Sequence, residues 1–339
     1  MLKALGSLFT VLLLLAIAGA VGGYFWLQDW ISRPGPLIEE TVFEVKPGET
    51  LISVASRAES GGLIADDMVL RLHARIAGAE TDIKTGEFAV PASVSVSEFL
   101  DLLVEGDVIQ YAVTVPEGLT VAQIARQLEA DERLAGELPE PLPSEGQLLP
   151  ETYAFTRGTT KAEILQRMES AQDQLLNELW DNRDTSLPLE DEAAALTLAS
   201  IVQKESADSD EYGKVASVFI NRLDRGMKLE TDVTVHYGVN GGEPLFNSKG
   251  ERRTMYRSEL DRDTPYNTYT RTGLPPTPIA NPGEGAIRAT LNPPKTDFLF
   301  FVASGTGGSV FTTNYRDHQR AVADYRAYER AEIARERAN

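Results

Sequence analysis

Apolar positions along the chain fall into stretches of different period. The first, "ALGSLFTVLLLLAIAGAVGGYFWL" from Ala4 to Leu27, carries no charge. A run of that length is long enough to cross a bilayer as a helix. Lys3 precedes it, and Asp29 and Arg33 follow. Tyr24, Phe25, Trp26 and Trp30 stand where an aromatic belt forms. The small residues of "AIAGA" support a competing reading, a cleaved signal peptide, but the apolar run continues past them. A retained anchor fits better, with the N-terminus in the cytoplasm by the positive-inside rule. Either reading places the remainder outside the cytoplasm.

A short tether with Pro34 and Pro36 comes next, then an internal echo. "VKPGETLISVA" begins at Val45 and "TVPEGLTVAQIA" at Thr114. Aligning Gly48 with Gly118 also aligns Thr50 with Thr120, Val54 with Ile124 and Ala55 with Ala125. Each copy reads as a strand, a Gly turn, a Thr N-cap and an amphipathic helix. Further helices are predicted at "IADDMVLRLHARIAG", "SVSEFLDLLVEG", "KAEILQRMESAQDQLLNELWDNR", "EDEAAALTLASIVQKESA" and "DEYGKVASVFINRLDRG". In the last of these, Ser209 or Asp210 is the expected cap and Gly226 the stop. "GEFAVP" reads as a strand, "DFLFFVAS" as a buried strand, and "HQRAVADYRAYERAEIARERA" as a helix with a solvated late part. From Gly226 to Asn292 the composition is that of loops and short strands, too long for a plain connection. The expected class is α+β. Its divisions are an anchor over residues 1–30, the tether at 31–40, a small α+β domain at 41–108, an intermediate segment at 109–144 and a larger mixed α/β domain at 145–335.

Composition narrows the chemistry. The 339-residue chain carries a net charge of −19, which argues against a nucleic-acid partner. It has no Cys, so disulfides, thiolate metal sites and Cys nucleophiles are excluded. His73, His236 and His318 are far apart and lack paired-ligand spacing. Ser200 and Lys204 are four apart, where the penicillin-binding type needs three. "SGTGGS" leads into no evident helix, so a phosphate loop is not indicated. No metal or cofactor is implied.

Carboxylates remain. Within "TLASIVQKESADSD", a helix puts Leu198, Ile201, Val202 and Glu205 on one face, with Ser206 adjacent. An acid ending an apolar stripe is partly desolvated, which raises its pKa and lets it donate a proton near neutral pH. Cleaving a glycosidic bond needs such a donor. The competing reading bends Glu205 out to water in the last turn. Lys204 is expected to pair with Asp208 at i,i+4. "YNTYTRTGLPPTPIANPGEG" gathers Tyr266, Asn267, Tyr269 and Asn281, whose rings and amides suit sugar faces and hydroxyls, or equally the packing of a rigid loop. "KLETDVTVHYG" adds Glu230, Asp232 and Tyr237 as possible cleft walls, or as a turn and a cap.

In order, "EGQLLPETYAF", "ASIVQKES", "KVASVFINRL", "LETDVTVHYG", "YNTYTRTGLPPTPIANPG" and "VFTTNYRDHQRAV" resemble the YceG-like family of endolytic murein transglycosylases, the MltG type. "VKPGETL" looks like a LysM-type unit. The resemblance covers nearly the whole chain after the anchor. It implies that Glu205 is the catalytic acid, and its Glu-Ser pair is similar to that of other lytic transglycosylases and goose-type lysozymes. Ser206 and Asn221 lie in two of these motifs and join Glu230, Asp232, Tyr237, Tyr266, Asn267 and Tyr269 as implied substrate-binding residues. Two positions depart from the pattern: Gln203, where the family commonly has Glu, and Glu230, where it usually has Gln. The implied reaction cuts the MurNAc–GlcNAc bond of nascent peptidoglycan strands and leaves 1,6-anhydro ends, terminating glycan elongation. The implied setting is the inner membrane, held by one helix, with the catalytic domain outside and peptidoglycan synthases as possible partners. A non-catalytic peptidoglycan-binding scaffold and a lysozyme-like hydrolase using water are the alternatives.

Overall fold

The computed structural model describes residues 2–338 and divides into two units. The first runs to Ala112 and takes back Ala154–Thr159; the second holds Val113–Tyr153 and everything from Thr160 onward. The architecture is mixed α+β, with three two-stranded sheets among many helices in the described residues.

The first unit begins with α1 (Leu2–Ile31), whose span Leu12–Ile31 is long and apolar enough to cross a membrane. Next come β1 (Thr41–Val45), α2 (Leu51–Ser60), α3 (Asp67–Ala77), β2 (Gly86–Val90) and α4 (Val96–Val104). β1 and β2 pair antiparallel, Thr41 against Val90 and Val45 against Gly86. Phe43, Phe88 and Phe99 fill the core beneath this strand pair, and Leu27 and Ile31 from the end of α1 belong to the same core. Glu87 is buried between the Tyr111 hydroxyl at 2.6 Å and Arg157 at 2.5 Å, which fastens the returning segment.

β3 (Gln110–Thr114) pairs with β4 (Thr152–Thr156), and the boundary between units runs through both strands. α5 (Val121–Glu129) follows the second Gly turn. The echo is therefore structural. Gly48 and Gly118 have φ of 75° and 76°, the left-handed region that favours glycine. The Thr50 and Thr120 hydroxyls cap their helices by accepting from the backbone N–H of Ser53 and Gln123.

The second unit continues with α6 (Lys161–Asp181), α7 (Glu192–Glu205), α8 (Tyr212–Asp224), α9 (Asp232–Asn240), α10 (Arg257–Leu260), α11 (Glu284–Leu291), the β5 (Phe300–Ala303) and β6 (Ser309–Thr312) hairpin, and α12 (Tyr315–Ala338). Three expectations are corrected here. The stretch from Gly226 to Asn292 contains helices α9, α10 and α11: its prolines lie between them, while Gly238 and Gly285 are carried within α9 and α11. "DFLFFVAS" is a half-buried hairpin strand, since β6 is its one neighbour and "SGTGGS" is the turn between them. α8 starts at Tyr212 without a side-chain cap, and Asp208 instead caps a short 3-10 turn at Ser209–Glu211.

α7 packs between α8 and α11 and is buried at every position from Ala195 to Val202. Its buried polar groups are satisfied internally. Thr197 donates to the Ala193 carbonyl, and Ser200 donates to the Thr197 carbonyl while accepting from the Ile279 N–H. Asn281, fully buried, ties the second Gly turn to this body. Its Oδ1 accepts from the Gly146 and Leu148 N–H groups at 3.0 Å, and its amide donates to the Leu119 carbonyl at 3.0 Å. Its backbone accepts from Gly118 and donates to Leu119. The side chain expected to offer hydrogen bonds to sugar hydroxyls is thus spent on the fold. Asn281→Ala leaves two buried N–H donors unpaired and is expected to cost about 3–5 kcal/mol. A fall in urea midpoint at unchanged slope for the full chain in detergent checks this.

Candidate active site

α7 ends at Glu205 because Ser206 turns extended, with φ −120° and ψ 134°. The helix predicted to run to Ala207 therefore stops two residues early, and the acid is its last residue. Ser206 does not enter the cavity; its hydroxyl donates to the Asp208 carbonyl and accepts from the Asp208 N–H. The final turn is held on both sides. Gln203 donates to the Tyr212 hydroxyl at 2.7 Å and accepts from the Gly283 N–H at 3.0 Å. Lys204 donates to the Gly118 carbonyl at 3.0 Å, so the expected pair with Asp208 is replaced by a link to the Gly turn.

With its neighbours so engaged, Glu205 faces a cavity of about 390 Å³. The Thr231 hydroxyl donates to its Oε1. Thr231 stands at the N-cap of α9, yet makes no side-chain cap bond there, because its hydroxyl serves Glu205. Its position is over-determined. The Thr231 N–H donates to Thr268 Oγ1 at 3.1 Å, and Thr234 donates to the Thr231 carbonyl at 2.9 Å. Glu230, at a φ of 53°, turns the chain into this arrangement. Burial is the main cause that raises the Glu205 pKa above its ordinary 4.5; Asp232 nearby adds to it, and the Thr231 hydrogen bond opposes it. Since Oε1 accepts from Thr231, a proton on Glu205 resides on Oε2.

Asp232 and Tyr269 complete the near wall. The Tyr269 hydroxyl donates to Asp232 Oδ1 at 2.7 Å. Burial first, then this bond and the surrounding carboxylates, push the phenol well above its ordinary range. Arg222 forms the floor, buried and donating to the carbonyls of Leu299, Lys228 and Leu229 and to Glu230 at 3.3 Å. Burial lowers its pKa. The far wall is aromatic: Phe300, Phe301, Tyr315 and His318. The His318 ring stacks on Phe300 at 5.1 Å, and burial keeps its pKa low. Its Nδ1 is buried without a hydrogen-bond partner among the described residues.

Of the sequence-predicted residues, Glu205, Glu230, Asp232 and Tyr269 line one cavity. Tyr237 and Tyr266 lie elsewhere, edge to face at 5.0 Å. The Tyr237 hydroxyl is 3.4 Å from Glu145, and the Tyr266 hydroxyl is bonded to Thr277. Asn221 donates to the carbonyls of Thr296 and Phe298 beside a separate, smaller cavity. Asn267 is fully buried. It donates to the carbonyls of Leu260 and Arg262 and accepts from the Tyr269 N–H at 2.9 Å, so it acts by placing Tyr269. Thr231, Arg222, Phe300, Tyr315 and His318 were missed. For Thr231 the usable signal was an N-cap residue next to an acid. Arg222 and His318 sat in quoted motifs whose other residues drew the attention. Among the described residues no group of three or more His, Cys, Asp or Glu is arranged to hold a metal ion.

A desolvated acid beside hydrogen-bonded carboxylates and stacked rings defines a site for proton-transfer chemistry on a polar substrate. The chain belongs to the YceG-like family, which residues 43–324 match. Over 90% of its length it is 28% identical to the endolytic murein transglycosylase of Bacillus subtilis (strain 168), covering 91% of that protein. It is also 28% identical, over 95% of its length, to the endolytic murein transglycosylase of Streptococcus pneumoniae serotype 2 (strain D39), of which it spans 65%. The crystal structure of a yceG-like protein from Listeria monocytogenes matches with a TM-score of 0.50 and 25% identity, over 84% of this chain and 99% of that one.

The raised pKa has a stability consequence with a definite sign. Between the unfolded and folded values of Glu205 the native state holds the extra proton, so stability falls as pH rises through that window. Glu205→Gln keeps the acceptor for Thr231 and removes the charge. Its melting temperature is expected to equal wild type below the ordinary value of 4.5 and to exceed it increasingly above. Thermal melts of both proteins across pH check this.

Proposed function

We propose that this protein is a membrane-anchored endolytic lytic transglycosylase of peptidoglycan, with Glu205 as its single catalytic acid and base. The observation that carries the reading is the half-buried Glu205, its pKa raised by desolvation, in a cavity whose other carboxylates are already engaged, Asp232 by Tyr269 and Glu230 by Arg222. Relatives across most of the chain bear the name endolytic murein transglycosylase. In the proposed reaction, Oε2 of Glu205 gives its proton to the oxygen leaving C1 of a MurNAc unit, and the C1–O bond to GlcNAc breaks. The resulting carboxylate takes the proton of that sugar's own 6-hydroxyl. The hydroxyl oxygen bonds to C1 and closes the 1,6-anhydro ring, and Glu205 is again protonated. One carboxyl serves both steps because the nucleophile belongs to the substrate. Tyr269 and the Phe300, Tyr315 and His318 wall suit sugar faces.

In this reading residues 1–30 anchor the chain in the inner membrane with the N-terminus in the cytoplasm, and residues 31–40 lead from it. Residues 41–108 form a LysM-like domain, residues 109–144 an intermediate segment, and residues 145–335 the extracytoplasmic catalytic domain. The anchor keeps the site close to newly made strands, a gain in effective concentration, and places it beside peptidoglycan synthases. Two other readings differ in product. A hydrolase using water leaves ordinary reducing ends, and a scaffold leaves strands uncut.

Mass analysis of glycan strands digested by the full chain distinguishes these outcomes; anhydro ends are expected, and ordinary reducing ends overturn the reading. Glu205→Gln is expected to lower the rate roughly 10²–10⁴-fold. Thr231→Val removes the donor that lowers the Glu205 pKa and aims the carboxyl. It is expected to move the basic limb of the pH–rate profile upward and to cost about 10²-fold in rate. An unshifted limb would deny Thr231 that role.

A further inference from the structure

The exposed face of α3 is apolar where a solvated helix is polar. Met68, Leu72 and Ile76 are 66%, 43% and 61% exposed. At spacings of four they form one stripe. The opposite face, Val69, Leu70 and Ala74, lies in the core. Arg71 and Arg75 border the stripe.

The depth of α3 relative to a bilayer follows from its contact with α1. The membrane-length span of α1 ends at Ile31. Leu27 and Ile31 are buried in the same core as Val69, Leu70 and Ala74, and α3 packs directly against α1. The first unit is therefore built onto the last turns of the spanning helix. Residues 32–40 remain fastened as well: the Gly35 N–H reaches the Val94 carbonyl, and Leu37 accepts from the Ser93 N–H. Leu27 lies one turn inside the end of the span, about 6 Å along the axis. Whatever covers Leu27 shares its depth. Trp26 and Trp30, stacked at 5.6 Å, mark the same level as an interfacial aromatic belt, and the Arg33 guanidinium lies over Trp30 at 4.9 Å.

We propose that the Met68, Leu72 and Ile76 face of α3 is a membrane-docking surface that rests in the headgroup and upper acyl region of the bilayer crossed by α1. Arg75 beside the stripe reaches anionic headgroups while its stem stays with the apolar side chains; Arg71 is paired with Asp67 at 3.1 Å. Docking orients the first unit on the membrane through two attachments, α1 and α3, where α1 alone permits rotation about its axis. The inference rests on the anchor reading and not on the chemistry at Glu205.

The chain has no Cys, so single-Cys variants take a spin label at one place. Labels go on Met68→Cys, Leu72→Cys and Ile76→Cys of the full chain in vesicles of phosphatidylethanolamine and phosphatidylglycerol. Leu14→Cys serves as the bilayer reference and Asp324→Cys as the aqueous one. The measurement is the ratio of collision rates with oxygen and with a water-soluble nickel chelate. Docking gives α3 ratios several-fold above Asp324 and approaching Leu14. Ratios equal to Asp324 overturn the proposal. An aqueous reading at Leu14 overturns the anchor instead. Dipolar broadening at Leu72 that disappears on dilution with unlabelled chain, leaving an aqueous ratio, assigns the face to a second copy and also overturns docking.

Discussion

The second unit is organised around a carboxyl group held at the end of a helix whose middle is buried on every side. Besides Asp232 nearby, two features of its setting oppose its charge. α7 is buried from Ala195 to Val202, so its end point lies in a low-dielectric wall. Glu205 is also the last residue of that helix, where the backbone dipole presents its negative end. Against both stands one donor, the Thr231 hydroxyl, taken from the capping of α9. The two helices share the cost: α9 gives up a cap bond, and α7 carries an acid where the dipole favours a base. Local stability is given up in exchange for a proton kept available beside a cavity.

Such an acid is useful only if its direction is fixed, and the two residues before it fix it. Gln203 and Lys204 reach opposite neighbours, the start of α11 and the second Gly turn. That turn shows how one local design acquires two uses. At Gly48 an added Cβ would meet nothing within 4 Å, and the turn only reverses the chain. At Gly118 an added Cβ would lie 3.4 Å from Gln203 and from Lys204. The second copy of the echo is a buttress for the end of α7, with Asn281 as its bolt.

Much of the secondary structure was legible because it rests on local rules. Thr50 and Thr120 cap their helices by the pattern read from the chain, and the glycines at 48, 118 and 226 have positive φ. The helices hidden between Gly226 and Asn292 were not legible, since α9 and α11 are short and flanked by glycine and proline. The cavity was half legible. Glu205, Glu230, Asp232 and Tyr269 are polar or aromatic residues whose types suggest chemistry. Asn221, Asn267 and Asn281 are of equally suggestive type, yet each is consumed by backbone carbonyls or N–H groups. Residue type states what a side chain can bond. Only tertiary packing decides whether a substrate or the protein's own backbone is the partner. Arg222 illustrates the converse: three carbonyls from two separate segments converge on one guanidinium, and no spacing along the chain announces it.

The two departures from the family pattern can be weighed by the same criterion. The Gln203 amide has a distinct partner for each atom, the Tyr212 hydroxyl for its nitrogen and the Gly283 N–H for its oxygen. A carboxylate there would accept from both, so either residue satisfies the geometry. The neutral one adds no charge beside Tyr212, whose pKa burial and Glu117 already raise. Position 203 is therefore a structural joint that tolerates an acid, not a second proton donor. Glu230 is different, because it lines the cavity. Its partner Arg222 is buried and otherwise bonded to neutral carbonyls, so Glu230 is the side chain that balances this cation. With Gln at that place the buried Arg222 charge would lose its carboxylate partner. The acid at 230 is thereby spent on a buried cation, and the pKa of the acid at 205 is raised by burial and by Asp232 instead.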